Sequence, residues 1–123
     1  MVCGLKNNKL LALLNNSRKN IDLVDTKTFK AIETISFGGV IINFVAYMEK
    51  ENVYVFSTND KHLNFYDTNE NILVQRFSVP DSIFHILVYE ENLIVGASNG
   101  WIYQYSIKKL AGTFRKKNQD SNH

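Results

Sequence analysis

The sequence has one cysteine, one proline and no long hydrophobic run, and these absences narrow the class of protein. Cys3 alone cannot form a disulfide within the chain or supply a zinc site built from cysteines. No segment approaches the roughly 18 uninterrupted apolar residues of a membrane span, and residues 1–9 lack the apolar core of a signal peptide. We therefore expect an intracellular, cytoplasmic protein without a membrane partner.

An excess of charge of one sign is also missing. The 14 lysines and arginines nearly balance the 12 aspartates and glutamates, which leaves a formal net charge of +2. Such a small charge does not favour a nucleic-acid partner. With 123 residues, 45% of them hydrophobic and 21% charged, the chain has the composition of one soluble globular domain.

What the sequence does contain is an internal repeat. Segments 20–26 and 62–68 share the order apolar, polar, apolar, apolar, Asp, Thr, and segment 101–107 is a weaker third copy. Asp25 and Asp67 lie 42 residues apart, and Ser106 takes the equivalent place 39 residues later. A period near 40 residues is typical of the four-stranded blades of a β-propeller.

The same order of elements surrounds each copy. A β-rich run and a short polar turn precede it, and another turn and an apolar run follow it, as in an antiparallel meander. Two nearly continuous apolar runs, 40–47 and 83–89, separate the units and suit strands buried on both faces. We predict that they are the innermost strands of their blades, and we predict no helix.

These patterns predict an all-β fold of about three four-stranded antiparallel blades, a partial β-propeller over residues 1–115. The units span about 5–37, 38–79 and 80–115, the first without a clear innermost strand, and residues 116–123 form a basic, polar, disordered tail. Propellers typically close with about four to eight blades, so about three should not close alone. A homodimer, another propeller fragment or a longer chain would supply the rest.

The repeat also has features of a known family. Tyr66-Asp67 occupies the place of the Trp-Asp pair of WD repeats, and Val24-Asp25 is a weaker version of that pair. Asp60 stands seven residues before Asp67, where that family has an aspartate that tightens the turn between the second and third strands. The sequence thus resembles the WD-repeat β-propellers, although the Gly-His that opens many such repeats is absent.

The resemblance implies structural roles for Asp25, Asp60, Tyr66 and Asp67, with Thr58 or Ser57 as the hydroxyl partner of Asp60. It also implies a non-catalytic scaffold or adaptor for protein–protein interaction. Fold alone does not establish function, so two alternatives stay open. One is an anionic-lipid (phosphoinositide) or RNA binder that acts through the basic carboxyl end, and the other is an enzyme with an unrecognised site.

No residue pattern indicates catalysis, a metal or a cofactor. His62, His85 and His123 have no spacing that would place two metal ligands on one element, and no phosphate-binding glycine loop is present. We expect His85, inside a predicted inner strand, to be a hydrogen-bonded core histidine. Ser57, His62 and Asp60 could be assembled into a catalytic set, but no nucleophile elbow accompanies them.

Two groups of residues are candidates for contact with a protein partner. Trp101 and Tyr103, with Tyr105, form an aromatic stripe at alternate positions that suits either packing between blades or an interface. Exposure of Trp101 would make it the first choice as an anchor. The second group is the basic end, Arg115, Lys116 and Lys117.

Overall fold

The structure, a computed structural model, describes residues 2–6, 10–14, 17–67 and 69–115. Within these ranges the chain forms antiparallel sheets and a short helix. The elements are β1 (Val2–Lys6), β2 (Leu10–Leu14), β3 (Asn20–Asp25), β4 (Ala31–Ser36), β5 (Ile42–Met48), β6 (Val53–Thr58), β7 (His62–Asp67), β8 (Ile72–Ser78), β9 (Ile83–Tyr89), β10 (Asn92–Ala97), β11 (Ile102–Ser106) and α1 (Ile107–Gly112).

Consecutive strands are neighbours in three sheets. The first sheet has the order β1-β2-β3-β4, the middle sheet β5-β6-β7-β8 and the third sheet β9-β10-β11. Inner strand β5 contacts both β1 and β9, so the inner strands lie side by side and the sheets fan out from them. This arrangement confirms the prediction of an all-β partial propeller built from antiparallel blades.

The middle sheet is covered on both faces. All six residues of β6 are buried, and alternate side chains point to opposite faces because successive residues of a strand do so. One face packs on the first sheet through a core that includes Ile21, Leu23, Ile35, Tyr54 and Phe56. The other face packs on the third sheet through a core that includes Val55, Leu63, Phe65, Leu93 and Val95.

The first sheet has an innermost strand that the sequence analysis did not find. Strand β1 pairs with β2 from Val2↔Leu13 to Lys6↔Leu10, with a register shift between Cys3 and Leu5. The first sheet therefore begins at Val2, before the predicted start near residue 5. Glycine weakens the sequence pattern of a strand, and Gly4 interrupts this short segment. The segment is a strand because it pairs with the apolar strand β2.

A helix was not predicted, and α1 corrects that expectation. Ser106 caps its amino end, where the Oγ atom accepts a hydrogen bond from the backbone N–H of Lys109 at 3.3 Å. Ile107 and Leu110 are buried one turn apart in the core between the middle and third sheets. A six-residue helix is too short for a recognisable apolar period, and tertiary packing stabilises it.

In the described part of the chain the third sheet has three strands, because the polypeptide leaves it after β11. The Phe114 ring lies 5.4 Å from the ring of Phe65, centroid to centroid, on the middle sheet. The backbone N–H of Arg115 donates to the carbonyl of Val74 at 2.7 Å, again on the middle sheet. In the sequence, α1 and the residues after it follow β11 where a fourth strand was expected, but they pack on the middle sheet and do not pair with β11.

Candidate functional site

The two aspartates of the repeat, Asp25 and Asp67, are the last residues of β3 and β7. Asp25 Oδ1 accepts hydrogen bonds from the backbone N–H groups of Lys27 and Thr28, at 2.7 and 3.3 Å. Asp67 Oδ1 does the same for the N–H groups two and three residues later, at 2.8 and 3.2 Å. Ser106 in the third copy caps α1. All three side chains therefore cap the backbone that follows the third strand of each sheet.

Asp60 is part of a polar network at one end of the middle sheet. Thr58 donates its hydroxyl hydrogen to Asp60, and the guanidinium of Arg76 forms a close ion pair with the same carboxylate. Asn64 is buried; its Nδ2 donates to the Thr58 hydroxyl and to the Phe56 carbonyl, each at 3.2 Å. Arg76 Nε donates to Asn64 Oδ1 at 2.9 Å, which closes the network.

Of the two expected hydroxyl partners, Thr58 contacts Asp60 and Ser57 does not. Ser57 is fully buried, and its Oγ donates to the Ile83 carbonyl at 2.8 Å, which links the middle and third sheets. His62 lies beside Asp60, with 3.5 Å between Nδ1 and Oδ1, but Ser57 is turned to the third sheet, so the three residues do not form a catalytic set. Sequence reasoning missed Asn64 and Arg76; a polar residue inside an otherwise apolar strand was the available signal for Asn64.

The ionisation of Asp60 makes the stability of the fold depend on pH. Partial burial acts to raise the pKa of Asp60, but the Thr58 hydrogen bond and the charges of Arg76 and His62 outweigh it and lower that pKa below 3.8. The ionised carboxylate therefore stabilises the fold above pH 3.8, and this contribution is lost as the pH falls through the lowered pKa.

We expect the free energy of unfolding of the natural chain to fall more steeply with acidification below about pH 5 than that of Asp60→Asn. Urea denaturation over a series of pH values measures the difference. Asp22→Asn is the matched control, because Asp22 accepts a hydroxyl hydrogen bond from Thr34 on the first sheet. Parallel curves for the natural chain and Asp60→Asn would contradict the role given to Asp60.

The outer face of the third sheet, turned away from the middle sheet, is the principal exposed apolar surface of the described chain. Strand pairing places Leu87, Ile94 and Gln104 in one row across this face, and His85, Gly96 and Ile102 in the next. Leu87 is 56% exposed and Ile102 is 70% exposed. Large apolar side chains at such exposure mark an interaction surface when polar residues surround them.

The repeat explains why this face is apolar. Aligning segments 62–67 and 101–106 places Ile102 at the position of Leu63 and Gln104 at that of Phe65. Leu63 and Phe65 are fully buried beneath the third sheet. The outer face of the third sheet is thus the counterpart of a surface that the middle sheet buries.

Inner strand β9 was expected to be buried on both faces, and this is wrong. Ile83 and Ile86 are buried, whereas Leu87 and Tyr89 are each 56% exposed. His85 was expected to be a core histidine; it is exposed, with its ring 5.7 Å from the Phe44 ring. Leu87 and Tyr89 are exposed because no described sheet covers their face of the third sheet.

The aromatic stripe divides into packing and exposed residues. Tyr103 and Tyr105 are half-buried against the core between the middle and third sheets, and burial, followed by the proximity of Tyr103, raises the pKa of Tyr105. Trp101 is 66% exposed, so the alternative of packing between blades does not hold for it. Tyr66 is half-buried at the opposite face of the middle sheet, where it meets the Phe37 ring edge-on at 5.8 Å.

The basic carboxyl end is described only in part. Arg115 is exposed, and Lys116 and Lys117 lie outside the described residues. Lys108 lines a cavity of about 450 Å³ beside α1 whose other lining residues include Glu49, Glu51, Glu90 and Glu91. These carboxylates oppose the attraction of an anionic ligand to this side of α1.

Within the described ranges, no group of three or more His, Cys, Asp or Glu residues is placed to hold a metal ion. Over the same ranges, no helix has the length and apolar character needed to cross a membrane.

The fold is similar to that of a solved propeller. No protein-family model and no curated protein matches the sequence. The crystal structure of the WD40 β-propeller domain of Doa1 matches with a TM-score of 0.70 at 19% sequence identity. The similarity covers 85% of this chain and 35% of that one, so the chain spans about a third of the length of the structure it matches. The described chain therefore has the fold of part of a WD40-type β-propeller.

Proposed function

We propose that the chain is a non-catalytic scaffold or adaptor for protein–protein interaction that works within a larger propeller or complex. The observation that carries the proposal is the outer face of the third sheet, where Leu87, Tyr89 and Ile102 each expose more than half of their surface. A propeller normally covers such a face with the next blade. No described segment covers this face, and in the proposal another protein does.

The composition of this face supports a protein partner. Leu87, Ile94 and Ile102 form an apolar centre, and His85 and Gln104 place polar groups around it. Protein interfaces have this arrangement, with a desolvated centre and a polar rim. Trp101 lies immediately before β11 and is 66% exposed, so it is a candidate for a second contact at the edge of the same sheet.

A photo-crosslinking amino acid at position 102 tests the proposal in cells that produce the chain. We expect discrete protein adducts from position 102, and loss of those adducts when Leu87→Asp is added, because a charge at the apolar centre costs more than about 2 kcal/mol of binding free energy.

Position 32 supplies the matched control. Ile32 is 59% exposed on the first sheet and lies away from the proposed contact surface. A homodimer would appear as an adduct of twice 14.2 kDa. The proposal fails if positions 102 and 32 give the same adducts, or if Leu87→Asp has no effect on them.

A further inference from the structure

Among the described residues, β11 is an edge strand of the third sheet, and the register identifies which of its backbone groups point away from β10. The N–H of Ala97 donates to the carbonyl of Trp101 at 2.9 Å. Hydrogen-bonded and non-hydrogen-bonded pairs alternate along an antiparallel ladder, so Tyr103 also bonds to β10, as does Tyr105. The N–H and C=O groups of Ile102 and Gln104 therefore point away from β10.

The other two sheets fill the equivalent edge with a fourth antiparallel strand. Leu63, the counterpart of Ile102, lies opposite Phe77, and Phe65, the counterpart of Gln104, lies opposite Gln75. In the first sheet the corresponding pairs are Ile21↔Ile35 and Leu23↔Glu33. Both fourth strands thus place a polar residue first and a large apolar residue two positions later.

The described chain does not supply this strand itself. Residues 107–112 form α1, and the contacts of Phe114 and Arg115 hold the following segment on the middle sheet. Residues 116–123 contain no apolar side chain, unlike β4 and β8. The strand that would complete the third sheet is therefore not among the described residues.

A second copy placing its first sheet on the third sheet is a poor match. On that copy's outer face, Thr34 donates to Asp22 at 2.8 Å and Ser36 donates to Asn20 at 2.7 Å. These hydroxyls and their acceptors already hydrogen-bond to one another at exposed positions. Packing them against the apolar centre of the third sheet would remove both from water without new hydrogen bonds.

We propose that β11 accepts an extended segment of a partner protein as a fourth, antiparallel strand. The backbone groups of Ile102 and Gln104 supply up to two donors and two acceptors to that strand. The segment carries a polar residue opposite Gln104 and, two positions later, a large apolar residue opposite Ile102. The inference rests on the proposed function and specifies the form in which the partner binds.

Short random peptides displayed on phage, selected on the full chain, test this mode of binding. The selected peptides are expected to share the order polar, any residue, large apolar. They should bind Gln104→Ala as tightly as the natural chain and Gln104→Pro at least about tenfold more weakly, because proline removes the outward N–H and its ring blocks the approach. Proline is tolerated at an edge position whose N–H faces outward, so Gln104→Pro should fold.

Amide hydrogen exchange of the natural chain provides a second measurement that needs no variant. Addition of a selected peptide should slow exchange at Ile102 and Gln104 at least about tenfold, while Tyr103 and Tyr105 stay protected throughout. Equal binding of the peptides to Gln104→Pro and Gln104→Ala, or unchanged exchange at Ile102 and Gln104, would overturn strand addition. If adducts still form at position 102 in that case, the interaction function stands and the partner contacts the face alone.

Discussion

Replacing Phe65 with alanine is expected to lower the free energy of unfolding by about 3–5 kcal/mol. The Phe65 side chain is fully buried where the middle sheet, the third sheet and the segment after α1 meet. Its ring lies 5.8 Å from the ring of Phe77 and 5.4 Å from that of Phe114. Truncation would leave a cavity among elements that hold one another in place, so the site cannot collapse easily.

Urea denaturation followed by circular dichroism measures this change. Phe29→Ala is the matched control, because the Phe29 side chain is 75% exposed and its removal should alter stability by less than about 0.5 kcal/mol. A loss below about 1 kcal/mol for Phe65→Ala would mean that the third sheet and α1 do not pack on the middle sheet as described.

Replacing Asn64 with leucine is expected to lower the free energy of unfolding by about 2–3 kcal/mol. The leucine would fill much of the same volume, but the Phe56 carbonyl and the Thr58 hydroxyl would lose their donor. Arg76 Nε would lose its acceptor on Asn64 at the same time. Buried polar groups left without partners retain the full cost of their removal from water.

Asn20→Leu is the matched control, and its free energy of unfolding is measured in the same way. Asn20 also lies on the third strand of its sheet, but its hydrogen bond from Ser36 is at an exposed position. We expect the control to cost less than about 0.5 kcal/mol. Equal losses for the two variants would show that the network around Asn64 contributes no more than a surface contact.

Local features of the chain were read correctly from the sequence. Asp25 and Asp67 each cap a turn with their own side chain, and such turns need only the residues within three positions. The Ser98-Asn99-Gly100 segment forms the turn between β10 and β11, with Gly100 at φ +88°. The repeat of these local signals near 40 residues was sufficient to predict successive antiparallel meanders.

Features that depend on distant neighbours were missed or misread. The apolar runs in β5 and β9 look alike in sequence, yet β5 is covered on both faces and β9 on one. The pattern of apolar residues in a strand does not indicate whether another sheet covers the second face of that strand. Asn64 and Arg76 likewise meet only because β7 and β8 are paired at Asn64↔Arg76.

The sequence by itself determined strands β2 to β11, their turns and their antiparallel order, because period-two alternation and turn residues act over a few positions. Only the tertiary structure decided that Val2–Lys6 joins the first sheet, that Ile107–Gly112 is a helix, and that the outer face of the third sheet is open. These outcomes depend on which surfaces pack together. The hydrophobic driving force is roughly proportional to the apolar area removed from water, and that area is set by segments far apart along the chain. The same dependence exposes Leu87 and Tyr89 of β9, which the sequence assigned to a strand buried on both faces.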